Sequence, residues 1–277
     1  MKVFSTIKQS FFQQKRPQED YLFFSKKYPI FTVADGVTLV PKGGQKYPDP
    51  SSAGIVAEIF CKKVVLEAEK KYKNFKTKNL KEIFKTANKA VADYNAFCRR
   101  TKKTINYLDI DLFSTTTAFI LIKEKKAYWW SLCDSGIILL DKFGKQIFAS
   151  PSFSPINGKF LPKNWKKMDP IKRAKIMHSF RNKLGEKGEL LGYGVVDGNE
   201  AALKYLNFGV IKLNNRDLAI IYTDGFEHYL KINEFNKIFI DWPVNLEQRI
   251  DVLSDKKIKE NKVKYGLERS LIAICAD

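Results

Sequence analysis

Histidine is nearly absent from this chain. Its 277 residues include two, His178 and His228, which excludes a metal centre built on several imidazoles. Cysteine is scarce as well. Cys61, Cys98, Cys133 and Cys275 form no CxxC pair and sit in apolar stretches, so buried free thiols are expected rather than a disulfide framework or a zinc site. No apolar run is long enough to span a bilayer. The N-terminal stretch MKVFSTIKQSFFQQKRPQED lacks a secretory h-region followed by a small-residue cleavage site. A cytoplasmic protein is therefore expected. There is no GxGxxG and no P-loop sequence, which removes the usual fingerprints of dinucleotide and nucleoside triphosphate binding. Without internal repeats or Gly/Ser- or Pro-rich linkers, one domain over 1–277 is expected.

Acidic residues are the minority charge. Thirty Asp and Glu stand against 49 Lys and Arg, a net charge of +19, and only eight of the basic residues are arginine. A nucleic-acid binder can look like this. Here the lysines are dispersed over helices and loops, with the nearest approaches to runs at 70–81 and 256–264. Solvated helix faces are the plainer reading. The same charge suits acidic, phosphorylated partners.

Hydrophobic residues make up 44% of the chain, enough for a real core. Two long helical patterns come early. SSAGIVAEIFCKKVVLEAEKKY opens on serine caps and puts Ile55, Val56, Ile59 and Phe60 on one face. NLKEIFKTANKAVADYNAFCRR does the same with Leu80, Ile83, Phe84, Ala87, Val91 and Tyr94. Further helices are expected over DPIKRAKIMHSFRNK, after Asp224 and around VNLEQRIDVL. Short apolar runs read as strands: VFSTI, YLFFS, IFTVA, TTAFILIK, AYWWSLC, GIILL, QIFAS, FGVIKL, DLAIIYT and SLIAICA. Turns such as KEKK and DKFGK between them suit antiparallel hairpins. The order of elements gives an α+β fold with helices packed on sheets, not a strict βαβ alternation.

The informative residues are acidic and sit at strand ends. Glu19 and Asp20 precede YLFF. Asp35 ends IFTVA and is followed by Gly36. Asp134 follows AYWWSLC, and Asp224 follows DLAIIYT with Gly225 behind it. Hard divalent cations want oxygen ligands. A carboxylate at a strand end is held by a rigid sheet yet faces a cleft, and a following glycine leaves room for its own carbonyl or a water to approach an ion. A lone Asp-Gly after a strand is ordinarily just a turn. Two such units with further acids are more specific.

In order along the chain, KRPQED (15–20), FTVADG (31–36), SSAGIVAE (51–58), STTTAFILI (114–122), WWSLCDSG (129–136), AIIYTDGF (219–226) and ERSLIAICA (268–276) resemble the metal-dependent serine/threonine protein phosphatases of the 2C type. The resemblance implies a four-layer αββα sandwich, two mainly antiparallel sheets flanked by helices. It implies two Mn²⁺ or Mg²⁺ ions, with a weaker third, and hydrolysis of phosphoserine or phosphothreonine by a hydroxide bridging the pair. By similarity Asp35 bridges both ions, the Gly36 carbonyl binds one, Asp224 binds the second, Glu19 and Asp20 hold metal-bound waters, and Asp134 serves the third. The family's phosphate-gripping arginine falls at Lys15, with Arg16 beside it; only Arg offers a bidentate fork. The implied partners are a phosphorylated protein substrate and a cognate serine/threonine kinase.

Three departures stand out. Val37 follows Gly36 where many members carry a proton-donating histidine. His228 stands where an aspartate often serves the third ion. Leu267 takes the place of the terminal aspartate, three residues before Ser270, and Glu268, one residue late, is expected to substitute as the ligand. His228 otherwise reads as a helix-face residue and His178 as structural. Of Trp129 and Trp130, one is expected in the core and one at a sheet surface. Two rival readings remain: a catalytically inactive member that binds a phosphoprotein or regulator, and a basic nucleic-acid-binding protein.

Overall fold

A computed structural model describes residues 1–11, 17–37, 50–101, 103–105, 111–152, 167–240 and 242–276. Lys15 and Arg16 lie outside the described residues.

All ten expected strands form, and they divide into two antiparallel sheets. Sheet I is ordered β1 (Lys2–Lys8), β10 (Arg269–Cys275), β9 (Leu218–Tyr222), β6 (Gly136–Leu140) and β7 (Gln146–Ala149). Sheet II is ordered β2 (Tyr21–Phe24), β3 (Ile30–Gly36), β4 (Thr115–Lys123), β5 (Lys126–Leu132) and β8 (Asn207–Lys212). The helices are α1 (Ser52–Lys71), α2 (Lys78–Phe97), α3 (Pro170–Ser179), α4 (Asp224–Glu227), α5 (Asn233–Ile240), α6 (Leu246–Glu260) and α7 (Lys262–Tyr265).

Three apolar layers separate four layers of structure. Val56, Phe60 and Val64 of α1 and Ile83, Phe84 and Val91 of α2 meet Phe119 and Trp130 of sheet II. Phe31, Val33 and Ile120 of sheet II meet Ile137, Ile221 and Ile272 of sheet I. The other face of sheet I, with Ile138, Ile220 and Leu271, is covered by Phe235, Phe239, Ile250 and Leu253 of α5 and α6. The period-2 alternation of each strand supplies both faces, so these strands read as nearly continuous hydrophobic runs.

That layering corrects the expectation for the tryptophan pair. Trp130 points to the helices, fully buried and stacked on Phe119 with ring centroids 4.0 Å apart. Trp129 points the other way, into the core between the sheets, and is only 6% exposed. Both faces of β5 are covered, so neither tryptophan reaches a surface. Ser51 caps α1 as the sequence suggests: its Oγ accepts the Gly54 N–H at 3.0 Å. Among the described residues no helix is long and apolar enough to cross a membrane, and all four cysteines are free thiols.

Candidate active site

The strand-end acids converge because the registers bring their strand ends together. In sheet II, Gly36 pairs with Thr115 at the start of β4, Tyr21 with Ala34, and Leu132 with Thr117. In sheet I, Tyr222 pairs with Gly136 and with Leu271. Glu19, Asp20, Asp35, Asp134, Asp224 and Glu268 therefore all leave the sandwich at one end.

Glycines allow the close approach. A Cβ on Gly36 would lie 2.8 Å from the Glu19 carbonyl oxygen and 2.8 Å from the Ala53 carbonyl carbon. One on Gly225 would fall 2.0 Å from the Glu268 carbonyl oxygen. Both positions admit only hydrogen, which explains each Asp-Gly pair by contact as well as by turn chemistry.

Electrostatics show how tightly the carboxylates gather. Burial, then the charges of Asp20, Asp224, Asp134 and Glu268, push the Asp35 carboxyl well above the usual carboxylate range. Burial, then Asp134, Asp20 and Glu227, does the same to Asp224. Burial and Glu268 push Asp20 up to about 7, partly offset by hydrogen bonds from Thr223 and Asp35. Asp134 is also raised, chiefly by burial. Asp35, Asp134 and Asp224 keep part of their surface accessible, whereas Glu19 and Asp20 are buried.

The surrounding residues hold these acids in place. The Thr223 hydroxyl donates to Asp20 Oδ2 at 2.7 Å and accepts the Ser270 N–H at 2.8 Å. Ser51 donates to Glu19 Oε1 at 2.5 Å. Thr115 donates to the Asp35 carbonyl at 2.7 Å. Cys133, one residue before Asp134, adopts a left-handed φ of 65°, a costly state for a non-glycine residue that marks functional turns. None of these positioning residues was singled out for the site in the sequence. Thr223 and Cys133 flank acids that were, and Ser51 was read only as a helix cap.

Glu268 is placed differently from a simple ligand. Its Oε1 accepts the backbone N–H groups of Glu19 and Asp20, both at 2.6 Å, and the Gln18 side-chain amide at 3.2 Å. Val37 packs with Met177 and Phe180 on a small cluster of Cys133, Tyr193 and Val195, so an apolar contact stands at that position. His228 ends α4 and its pKa is lowered, mainly by burial. His178 is a structural partner: its Nδ1 lies 2.7 Å from Asp111 Oδ2, and Arg181 reaches the same oxygen at 2.6 Å.

A divalent cation fits this donor set. Four buried or half-buried carboxylates, two of them (Asp35 and Asp224) raised in pKa by the charges of the others, call for a positive charge between them. Asp134 Oδ1 is buried without a hydrogen-bond partner, a vacant oxygen of the kind a hard cation takes. Among the described residues, no group of three His, Cys, Asp or Glu side chains is disposed to hold a metal ion by itself.

No family model and no curated protein matches the sequence. Solved structures do match. The catalytic domain of the serine/threonine protein phosphatase PstP, in complex with two manganese ions, aligns over 100% of this chain and 98% of its own, at 14% identity and a TM-score of 0.57. The chain has the fold of the 2C-type phosphatases. A serine/threonine phosphatase of S. agalactiae aligns over 99% of this chain and 98% of its own, at 13% identity and a TM-score of 0.61. RsbX in complex with magnesium aligns over 99% and 94%, at 11% identity and a TM-score of 0.51. The 2C-type fold thus accounts for both sheets and their flanking helices, as the sequence resemblance implied.

Proposed function

We propose that this chain is a divalent-metal-dependent phosphatase that removes phosphate from phosphoserine or phosphothreonine in proteins, with residues 1–277 acting as one cytoplasmic domain. The observation that supports the reading best is the gathering of Asp20, Asp35, Asp134 and Asp224 at one end of the sandwich, each raised in pKa by burial, and Asp35 and Asp224 also by the charges of the other aspartates.

In this reading Asp35, the Gly36 carbonyl and Asp224 hold two Mn²⁺ or Mg²⁺ ions, and Asp134 a weaker third. Ions bound there would acidify water and neutralise charge on the phosphoryl oxygens. The chain's own contribution is positional. Thr223 fixes one oxygen of Asp20, and Ser51 fixes Glu19, so that both acids can orient water from a buried and rigid backing. Glu268 acts on the backbone beneath them, clamping the N–H groups of Glu19 and Asp20. It is thus a positioning residue rather than the ligand its spacing first suggests. Val37 supplies no proton, so the leaving-group oxygen takes its proton from water or another group. Lys15 or Arg16 grips the substrate phosphate, and a serine/threonine kinase supplies the substrate.

The deciding experiment is phosphate release from a phosphothreonine peptide with and without added Mn²⁺. Metal-dependent release supports the reading. The alternative is an inactive domain that binds phosphoproteins, and it is favoured by Leu267 together with the engagement of Glu268 on backbone. It predicts peptide binding with no release at any metal concentration.

A further inference from the structure

The end of the sandwich opposite the acids carries a second concave feature. Strand β9 runs from Leu218 to Tyr222 and on into Asp224, so its Leu218 end lies farthest from the acidic cluster. There, where α5 stops over the outer face of sheet I, lies a cavity of about 350 Å³. That is within the range of small-molecule sites.

Its lining combines two chemistries. The half-buried Trp242 and the exposed Ile240 provide flat and aliphatic surface, with the buried Phe239 behind them. Lys2, Lys142 and Arg216 bring three cations to the same walls. Among the described lining residues Asp141 is the single carboxylate, and its Oδ1 already accepts the Phe143 and Lys145 N–H groups of its own turn. An aromatic floor under a surplus of positive charge fits a ligand with an apolar ring and an anionic group.

The backbone around the cavity is unusual in the same sense. Arg216 and Trp242 both hold left-handed φ values, 66° and 42°. Such conformations cost free energy for non-glycine residues and persist where the surrounding fold imposes them, often at binding sites. The β6–β7 turn is seated against the same wall: Gly144, at φ 80°, comes so close to Ile240 that a Cβ there would lie 2.6 Å from its Cδ1.

The geometry points to a binding site for a small organic anion with a flat aromatic body, either an aromatic carboxylate or a nucleotide, at the pole of the sandwich remote from the acidic cluster. Arg216 and Lys142 pair with the anionic group, and Trp242 takes the ring. This does not rest on the phosphatase reading, because the test measures binding directly.

The test is calorimetric titration of the full chain, in Mg²⁺ buffer, with 2-naphthoate, AMP and inorganic sulfate. The expected result is saturable binding of at least one ring-bearing anion with a Kd below about 1 mM, and at least about tenfold weaker binding of sulfate. Arg216→Asn removes the guanidinium while keeping a residue that tolerates a left-handed φ. It should weaken the ring-bearing anion about tenfold with an unchanged Tm. Lys142→Gln, on an exposed turn, is the second variant should Arg216→Asn fold poorly. Binding of AMP alone assigns the site to nucleotides, and binding of naphthoate alone to carboxylates. Absence of binding by either, binding no tighter than sulfate, or binding unaffected by these variants would overturn the proposal.

Discussion

Glu268 Oε1 receives the backbone N–H of Asp20 at 2.6 Å, although the two residues are 248 positions apart. The same oxygen receives the Glu19 N–H. A charge-assisted acceptor shared by two consecutive amides fixes the path of the chain just before β2. Glu268→Ala should therefore loosen the Glu19–Asp20 segment and weaken Mn²⁺ binding about 10- to 100-fold, as loss of a residue supporting metal ligands does. Glu268→Gln, which keeps an acceptor oxygen, should cost less. Mn²⁺ titrations of the three proteins check this, and equal affinities would show that the contact has no bearing on the metal.

Asp35→Asn and Asp224→Asn should each abolish most Mn²⁺ binding and reduce phosphate release by at least about a hundredfold while the fold persists. Each removes an ionisable carboxyl whose pKa its acidic neighbours raise. Relief of that repulsion should also leave the metal-free variants no less stable than the parent. Circular dichroism and thermal melts report the fold. Full activity of both variants at saturating Mn²⁺ would refute their assignment to the metal site.

Thiol alkylation should leave activity intact, whereas EDTA should abolish it. Burial pushes the Cys61 and Cys133 thiols well above their usual pKa, so little reactive thiolate is available there. Iodoacetamide treatment, with mass spectrometry to count modified thiols, makes the comparison. Inactivation without structural loss would argue for cysteine chemistry.

The metal-free protein should lose stability as pH rises from about 4 through about 7. Asp20, Asp35 and Asp224 hold their protons to higher pH folded than unfolded, with Asp20 at about 7. The folded state thus binds more protons in this window, and the stability fully present below the unfolded pKa is lost as pH passes the folded one. Bound Mn²⁺ should reverse the trend, since it favours the ionised carboxylates and releases protons. Denaturant melts across this window, with and without Mn²⁺, test both signs.

Asp111 is buried beneath Arg181 and His178, with its Oδ2 at 2.6 and 2.7 Å from their nitrogens. Asp111→Ala strands a buried guanidinium and should cost about 3–5 kcal/mol of stability. Denaturant unfolding measures the loss. A change within about 0.5 kcal/mol would mean that the pair contributes nothing net.

Much of this was legible in the sequence because its signals were local. Apolar runs bounded by turns marked every strand, and 3.6-residue spacing marked α1 and α2. The acids were found because each ends a strand, and strand ends are easy to read. What was not legible depended on pairing between distant segments. Nothing near Glu268 shows that residues 18–20 lie against it, so spacing alone made it a ligand candidate. Trp129 was misjudged because a single strand does not disclose that both of its faces are covered. His178 required Asp111, which belongs to another part of the chain.

The Thr223 hydroxyl also has a mechanical meaning. The two sheets share no strand ladder, and the apolar layer between them is non-directional, so it resists separation far better than sliding. Thr223 belongs to the sheet I side and grips Asp20 at the entrance to sheet II, while Glu268 grips the same entrance from the start of β10. These directional bonds pin the slip plane at the acidic end, and the short β8–β9 turn pins it at the other, where the Leu213 N–H donates to the Lys125 carbonyl and the Arg216 N–H to the Ala276 carbonyl. An ion drawing Asp20, Asp35 and Asp224 together would add a rivet at the acidic end and so hold the two sheets in one register where the carboxylates meet.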